Sequence, residues 1–210
     1  MSPDDTSKTG ATPAGNTTAE TLQRNKAYQS LTEWLLLLVP ATAGIAGDQW
    51  VKTWAFPGGV PGDPELMPYA GRQPGTMSPI IDHFLGFTTT VNRGAVFGFA
   101  QGHVSIFLAF SLVALAVILW VFATSGARNH AVHVALGLIT AGAIGNLYDR
   151  AVYHGVRDML RFYVSWYPYI FNVADVLLCV GVPLLMLCWI VEGYTQSKTG
   201  RGFPLEDKPA

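Results

Sequence analysis

Apolar residues in this chain come in long unbroken runs rather than in the short alternation of a half-buried strand. Ser105 to Thr124 carries no charge, Ala131 to Tyr148 none beyond a possible one on His133, and Ile170 to Val191 a single carboxylate, Asp175. Each run approaches the ~20 apolar residues that a helix needs to cross a bilayer core. A fourth, Trp34 to Gly47 (WLLLLVPATAGIAG), reaches spanning length when Leu31 and the stretch to Val51 are added, with Asp48 at the interface. The pattern predicts a membrane α-helical protein with four transmembrane helices. A cleaved signal peptide is the alternative for the first run, which follows Lys26 and contains Ala41, Ala43 and Ala46. About thirty mostly polar residues precede it, long for a charged n-region, so a retained helix is expected.

Between the first two spans the pattern changes. Residues 57–79 are rich in Gly and Pro, then Ile80, Ile81, Phe84, Leu85 and Phe87 lead into TTTV, a β-branched run that favours strand. Such a sheet has an apolar face that can lie on the bilayer and cover a site. Trp50, Trp54, Tyr163, Trp166, Tyr167 and Tyr169 suit an interfacial belt at the same end. The expected organisation is a disordered cytoplasmic tail over 1–30, a four-span membrane domain over 31–192 and a cytoplasmic C-terminal tail over 193–210.

Composition agrees with a membrane class: half of the chain is hydrophobic and 13% is charged, against roughly 25% in soluble proteins. A net charge of -1 with no basic stripe disfavours nucleic acid. Cys179 and Cys188 lie about 13 Å apart along one helix at the ~1.5 Å rise, too far to bridge, and neither has a neighbour at metal-ligand spacing. Neither a metal nor a cofactor is expected.

Orientation rests on the cations. Termini on the cytoplasmic side place Lys8, Arg24, Lys26, Arg128, Lys198, Arg201 and Lys208 there, and Lys52, Arg72, Arg93, Arg150, Arg157 and Arg161 opposite, which decides little by number. Most of the second set stand beside Asp, Asn or Gly and look committed to a site, so the tails are expected to set the topology with both termini inside. Asp48, Lys52, Asn146, Asp149, Arg150, Asp158 and Asp175 then gather at the outer face, Asp175 about 8 Å into its helix at the ~1.5 Å rise.

A carboxylate in a hydrocarbon-length run is a functional hypothesis by default. Two carboxylates a few ångströms apart cannot both ionise cheaply, so they share a proton and offer an acid and a base together. Asp158 and Asp175, separated by a loop with Tyr167, Pro168 and Tyr169, can meet in this way, though the spacing does not require it. The competing readings are an ion pair of Asp158 with Arg157 or Arg161, and a structural Asp175 that caps its helix or pairs with Arg150. Asp149 beside the Arg150 cation is a weaker candidate, and Asp48 with Lys52 at i, i+4 suits a helix-end ion pair. A serine triad lacks support, since Ser105 and Ser111 are in an apolar span and no G-x-S-x-G elbow exists. The histidines are expected to pack or sit at interfaces.

Taken in order and spacing, DQWVK at 48–52, NRGAVFGF at 92–99, GAIGNLYDR at 142–150, VRDM at 156–159 and FNVAD at 171–175 resemble the bacterial lipoprotein signal peptidases (signal peptidase II) over about residues 31 to 192. The resemblance implies an aspartyl intramembrane endopeptidase of the cytoplasmic (inner) membrane, with four transmembrane helices, a small extracytoplasmic β-cradle and a short interfacial helix. Such an enzyme cleaves prolipoproteins before a diacylglyceryl-modified cysteine, works at the lipid surface, and is inhibited by globomycin. Position by position, the catalytic pair falls on Asp158 and Asp175. Asn92, Asn146, Arg150 and Asn172 are its polar support, and Asp48, Lys52, Gly94, Asp149 and Ala174 are further motif positions. Arg157 and Met159 depart from the family's usual apolar and aromatic neighbours of the first aspartate, and Val51 from a small hydroxyl residue. Arg157 is expected to lower the pKa of Asp158. A monomer is the simplest assembly. A proton-coupled transporter or a non-catalytic assembly factor remains the competing class; the transporter predicts polar residues spread through the membrane thickness.

Overall fold

The computed structural model describes residues 26–56, 78–93, 104–164, 166 and 169–198. Four helices are long and apolar enough to cross a membrane: α1 (Leu31–Ala55), α2 (Val104–Thr124), α3 (His130–Tyr153) and α4 (Val173–Lys198). Main-chain polar groups find no partner in hydrocarbon, so an uninterrupted apolar run is forced into helix. α3 is the hub. Within its spanning window 56% is buried, against 17% or less in the other three, and α1, α2 and α4 pack around it.

Small residues make that hub possible. A side chain at Gly142 would lie 2.5 Å from Ala174 O, and one at Gly145 would lie 2.5 Å from Asp48 Oδ2. Without them α1 and α4 could not close on α3, the usual route to tight packing where lipid supplies no hydrophobic drive.

Four antiparallel strands cap one end of the bundle in the order β1 (Ser78–Ile81), β2 (Leu85–Asn92), β3 (Val156–Phe162) and β4 (Ile170–Phe171). Ile80, Ile81 and Phe84 are exposed, an apolar rim of the kind the sequence pattern predicts. Between β2 and β3, Phe87 pairs with Leu160 and Thr90 with Asp158, so Thr88 and Thr89 together oppose Met159 in a β-bulge. Bulges recur beside active sites because the extra residue re-aims its neighbours.

Two expectations change. The run Ile170 to Val191 is not one helix: Ile170 and Phe171 form β4, and α4 starts at Val173. Asp175 is therefore the third helical residue, about 4.5 Å along the axis at the ~1.5 Å rise rather than 8 Å. Lys26 to Ser30, counted with the tail, are packed: Ala27 is fully buried, its N–H donates to Ser125 O at 3.0 Å, and Lys26 Nζ donates to Thr124 O at 3.1 Å. Besides the four spans, the described residues hold one short helical turn, Ala27–Gln29, at the end of the bundle away from the sheet; the expected interfacial helix over the site lies outside the described residues.

Candidate active site

The local sequence FNVAD builds a helix start in which both polar side chains serve the main chain. Asn172 Oδ1 accepts from Asp175 N–H at 3.0 Å, and Asp175 Oδ2 accepts from Asn172 N–H at 3.2 Å. This reciprocal capping satisfies two donors that every helix N-terminus leaves open. A third, Ala174 N–H, donates to Asp48 Oδ1 at 2.9 Å across from α1. The capping alternative for Asp175 is thus realised, yet it leaves Oδ1 for Asn146 Nδ2, which donates at 2.8 Å from α3.

The amide of Asn172 then reaches the other aspartate. Its Nδ2 donates to Asp158 Oδ1 at 2.6 Å and to Asn146 Oδ1 at 3.1 Å. Asn92 at the end of β2 also hydrogen-bonds the Asp158 side chain. Asp158 and Asp175, 17 residues apart, are therefore joined through a single side chain, on β3 and α4 respectively. Asp158 is 2% exposed. Burial, and then the nearby charge of Asp175, push its carboxyl from the ordinary 3.8 up to about 8, against the opposing pull of Asn172, Asn92 and Lys52.

Beside the two aspartates lies a second buried network whose charges cancel. Asp48, Lys52 and Asp149 are 0% exposed and Arg157 is 1% exposed. Lys52 Nζ lies 2.8 Å from Asp48 Oδ2 and 3.2 Å from Asp149 Oδ2. It also donates to Gly145 O and to Asn146 Oδ1, at 3.4 and 3.3 Å. Arg157 donates to Asp149 from its main-chain N–H (2.9 Å), Nε (3.3 Å) and Nη2 (2.8 Å). Its Nη2 also reaches Gln49 Oε1 at 2.8 Å, and its guanidinium stacks 4.4 Å from the Tyr153 ring centre. Two acids against two bases make the set neutral, the condition under which buried charge is tolerated.

Arg157 does not act on Asp158 as expected. Successive strand residues face opposite ways, so Arg157 is turned to Asp149 and Gln49, and Asp158 to Asn172. The ion pairs of Asp158 with Arg157 or Arg161, and of Asp175 with Arg150, are absent among the described residues. Met159, the other departure, is fully buried in an apolar cluster with Ala55, Phe56 and Phe87. Arg150 donates to Asn146 O at 3.4 Å and stacks over Phe107 of α2 at 5.1 Å. Asp48 and Lys52 pair at i, i+4, but inside the network rather than at a solvated helix end. Ala174 is fully buried and contributes its main-chain N–H. Gly94 lies outside the described residues.

Two features escaped the sequence. Gln49 bridges Asp48 and Arg157, with Nε2 donating to Asp48 Oδ2 at 3.1 Å; its position next to Asp48 was the only signal. At the opposite end of the bundle, buried Glu33 of α1 meets His133 Nδ1, and Ser125 Oγ lies 2.7 Å from His133 Nε2. This resembles a triad only in outline: Ser125 Oγ donates its proton to Phe122 O at 2.8 Å, and His133 is fully buried. His133 packs as expected, with partners that no local pattern reveals.

Residues 40–191 match the sequence profile of the family described as "Signal peptidase (SPase) II". A lipoprotein signal peptidase of Bacillus pumilus is 39% identical over 120 residues, which is 57% of this chain and 77% of that protein. Another, from Desulfitobacterium hafniense, is 36% identical over 125 residues, 60% of this chain and 82% of that one. A solved structure described as a "Bacterial membrane enzyme structure by the in meso method" is also similar. It has a TM-score of 0.62 at 25% identity, covering 82% of this chain and 92% of that one. With four apolar helices, a small antiparallel sheet and a profile match over most of its length, the chain belongs to the signal peptidase II family, the aspartic-type membrane peptidases that remove signal peptides from prolipoproteins.

Proposed function

We propose that Asp158 and Asp175 are the catalytic dyad of this peptidase. The observation that carries the reading is Asn172, whose side-chain amide donates to the Asp158 carboxylate and whose main-chain N–H donates to the Asp175 carboxylate, next to a neutral network that does not need either of them. Asp158, protonated up to about pH 8, is the acid; Asp175 is the base. Asp175 takes a proton from a water that attacks the scissile carbonyl carbon, while Asp158 gives its proton to the carbonyl oxygen. Collapse of the tetrahedral intermediate then breaks the C–N bond, with a proton returned to the leaving amine. Asn146 and Asn172 hold the carboxylates in position, and the Arg150 guanidinium offers a fixed positive charge to the developing oxyanion.

The site lies where α1 ends and α4 begins, and the opposite ends of these two helices, Leu31 and Lys198, lead to the two termini. A dyad near the extracytoplasmic face of the inner membrane, with both termini and both tails cytoplasmic, suits this layout. Asp175 in the first turn of α4 sits at headgroup depth, where a diacylglyceryl-modified cysteine would keep its acyl chains in the bilayer. All the proposed site residues come from one chain, which supports a monomer, and among the described residues four of the five acids on or beside the spanning helices' packed faces, all but Glu33, gather at the sheet end. The test is to incubate purified protein with a diacylglyceryl-modified prolipoprotein and identify the new N-terminus. A lipidated cysteine, with release blocked by globomycin, is expected. Cleavage at another bond would contradict the reading.

A further inference from the structure

At the end of the bundle away from the dyad, a cavity of about 450 Å³ opens between the start of α3 and the last turns of α4. Its floor is Ala131, Val132, Leu187, Cys188 and Val191. Leu187 and Val191 are exposed, and both stand on a spanning helix. The rim is different in kind. Arg128, Asn129 and His130 stand over the floor, joined by Glu192. Arg128 is exposed and makes no hydrogen bond or ion pair among the described residues. His130 Nε2 lies 3.1 Å from Glu33 Oε1, and Glu192 has a contact of its own. Arg128 is thus the uncommitted charge on the rim.

We propose that this cleft binds one anionic phospholipid of the bilayer, the phosphate on Arg128 and an acyl chain along Leu187 and Val191. Basic pockets between spanning helices select acidic head groups in this way, and the apolar floor requires an amphiphile rather than free phosphate. The positive end of the α3 dipole adds to the attraction, since Asn129 makes no side-chain cap there. The exposed Arg128 argues against the substrate as occupant, because it would meet the cationic n-region of a signal peptide. The inference does not depend on the dyad.

The test is thermal unfolding of the purified full-length protein in detergent with phosphatidylglycerol or phosphatidylcholine added. Phosphatidylglycerol should raise the Tm by several degrees more than phosphatidylcholine does, since a ligand of the folded state stabilises it by mass action. Arg128→Gln should remove most of that difference, and Val191→Trp, which fills the floor but keeps the charge, should do the same. Both variants should cleave prolipoprotein in detergent at the wild-type rate. An equal rise with both lipids, a rise with glycerol phosphate alone, or an undiminished difference in both variants would overturn the proposal.

Discussion

Two groups of buried acids lie side by side in this protein and behave in opposite ways. Asp48 and Asp149 are each matched to a cation, Lys52 or Arg157, and their remaining oxygens accept main-chain N–H groups at 2.9 Å. Asp158 and Asp175 have each other and a set of amides. Burial is nearly the same for three of the four, so depth does not separate scaffold from chemistry. Partner charge does. A carboxylate beside a buried cation has its charge matched, whereas two carboxylates held by neutral amides are left to share a proton, the condition for acid and base at one pH.

The contrast is broken most severely at the dyad itself. Asp175→Asn keeps the size of the side chain and an acceptor for Asn172 N–H but removes the proposed base; the rate of prolipoprotein cleavage should fall by about a thousandfold or more, with Tm unchanged or higher. Next is the scaffold. Arg157→Met leaves Asp149 with Lys52 alone and should destabilise the fold by about 3–5 kcal/mol, the cost of stranding a buried charge, read as a lower Tm in detergent. Double replacement, Arg157→Met with Asp149→Leu, should cost less than the sum of the single changes.

The pH dependence sharpens the comparison. Asp158 titrates near 8 in the folded chain and near 3.8 unfolded, so between these values the folded state binds the extra proton. Its contribution to stability is present below about pH 4 and is lost as pH rises to about 8. Wild type should therefore lose Tm over that window relative to Asp158→Asn, whereas Asp149→Asn should show no such gain at high pH. Activity should fall as the pH passes about 8, where the proposed acid Asp158 loses its proton.

The smallest effect is expected at the bulge. Thr88 and Thr89 bury hydroxyls that have no partner among the described residues, at a cost of about 1–3 kcal/mol for each such group. Thr88→Val should leave Tm equal or slightly higher, and a loss of unfolding free energy beyond about 1 kcal/mol would show that the hydroxyl is used.

Much of this was legible because lipid permits so few solutions. Uncharged runs of spanning length have to be helices, and a carboxylate in such a run asks for a reason. Asp175 stood out for that reason, and the motif spacing supplied Asp158, Asn146 and Asn172. What could not be read is whatever depends on facing and on distance along the chain. Arg157 looked like a neighbour of Asp158, but strand alternation turns it away, and only the fold shows that Asp149 and Gln49 receive it. The start of α4 was misplaced because Ile170 and Phe171 are as apolar as the helix they precede; the cap made by Asn172 and Asp175 decides the boundary. Glu33 and His133 meet across 100 positions of sequence, which no local periodicity encodes.

The most direct measurement is cleavage of a diacylglyceryl-modified prolipoprotein by Asp158→Asn beside wild type, with Tm taken on the same samples at pH 7. The dyad predicts a folded variant, at least as stable as wild type, that does not cleave. Cleavage by Asp158→Asn at a rate near that of wild type would mean that the chemistry lies elsewhere.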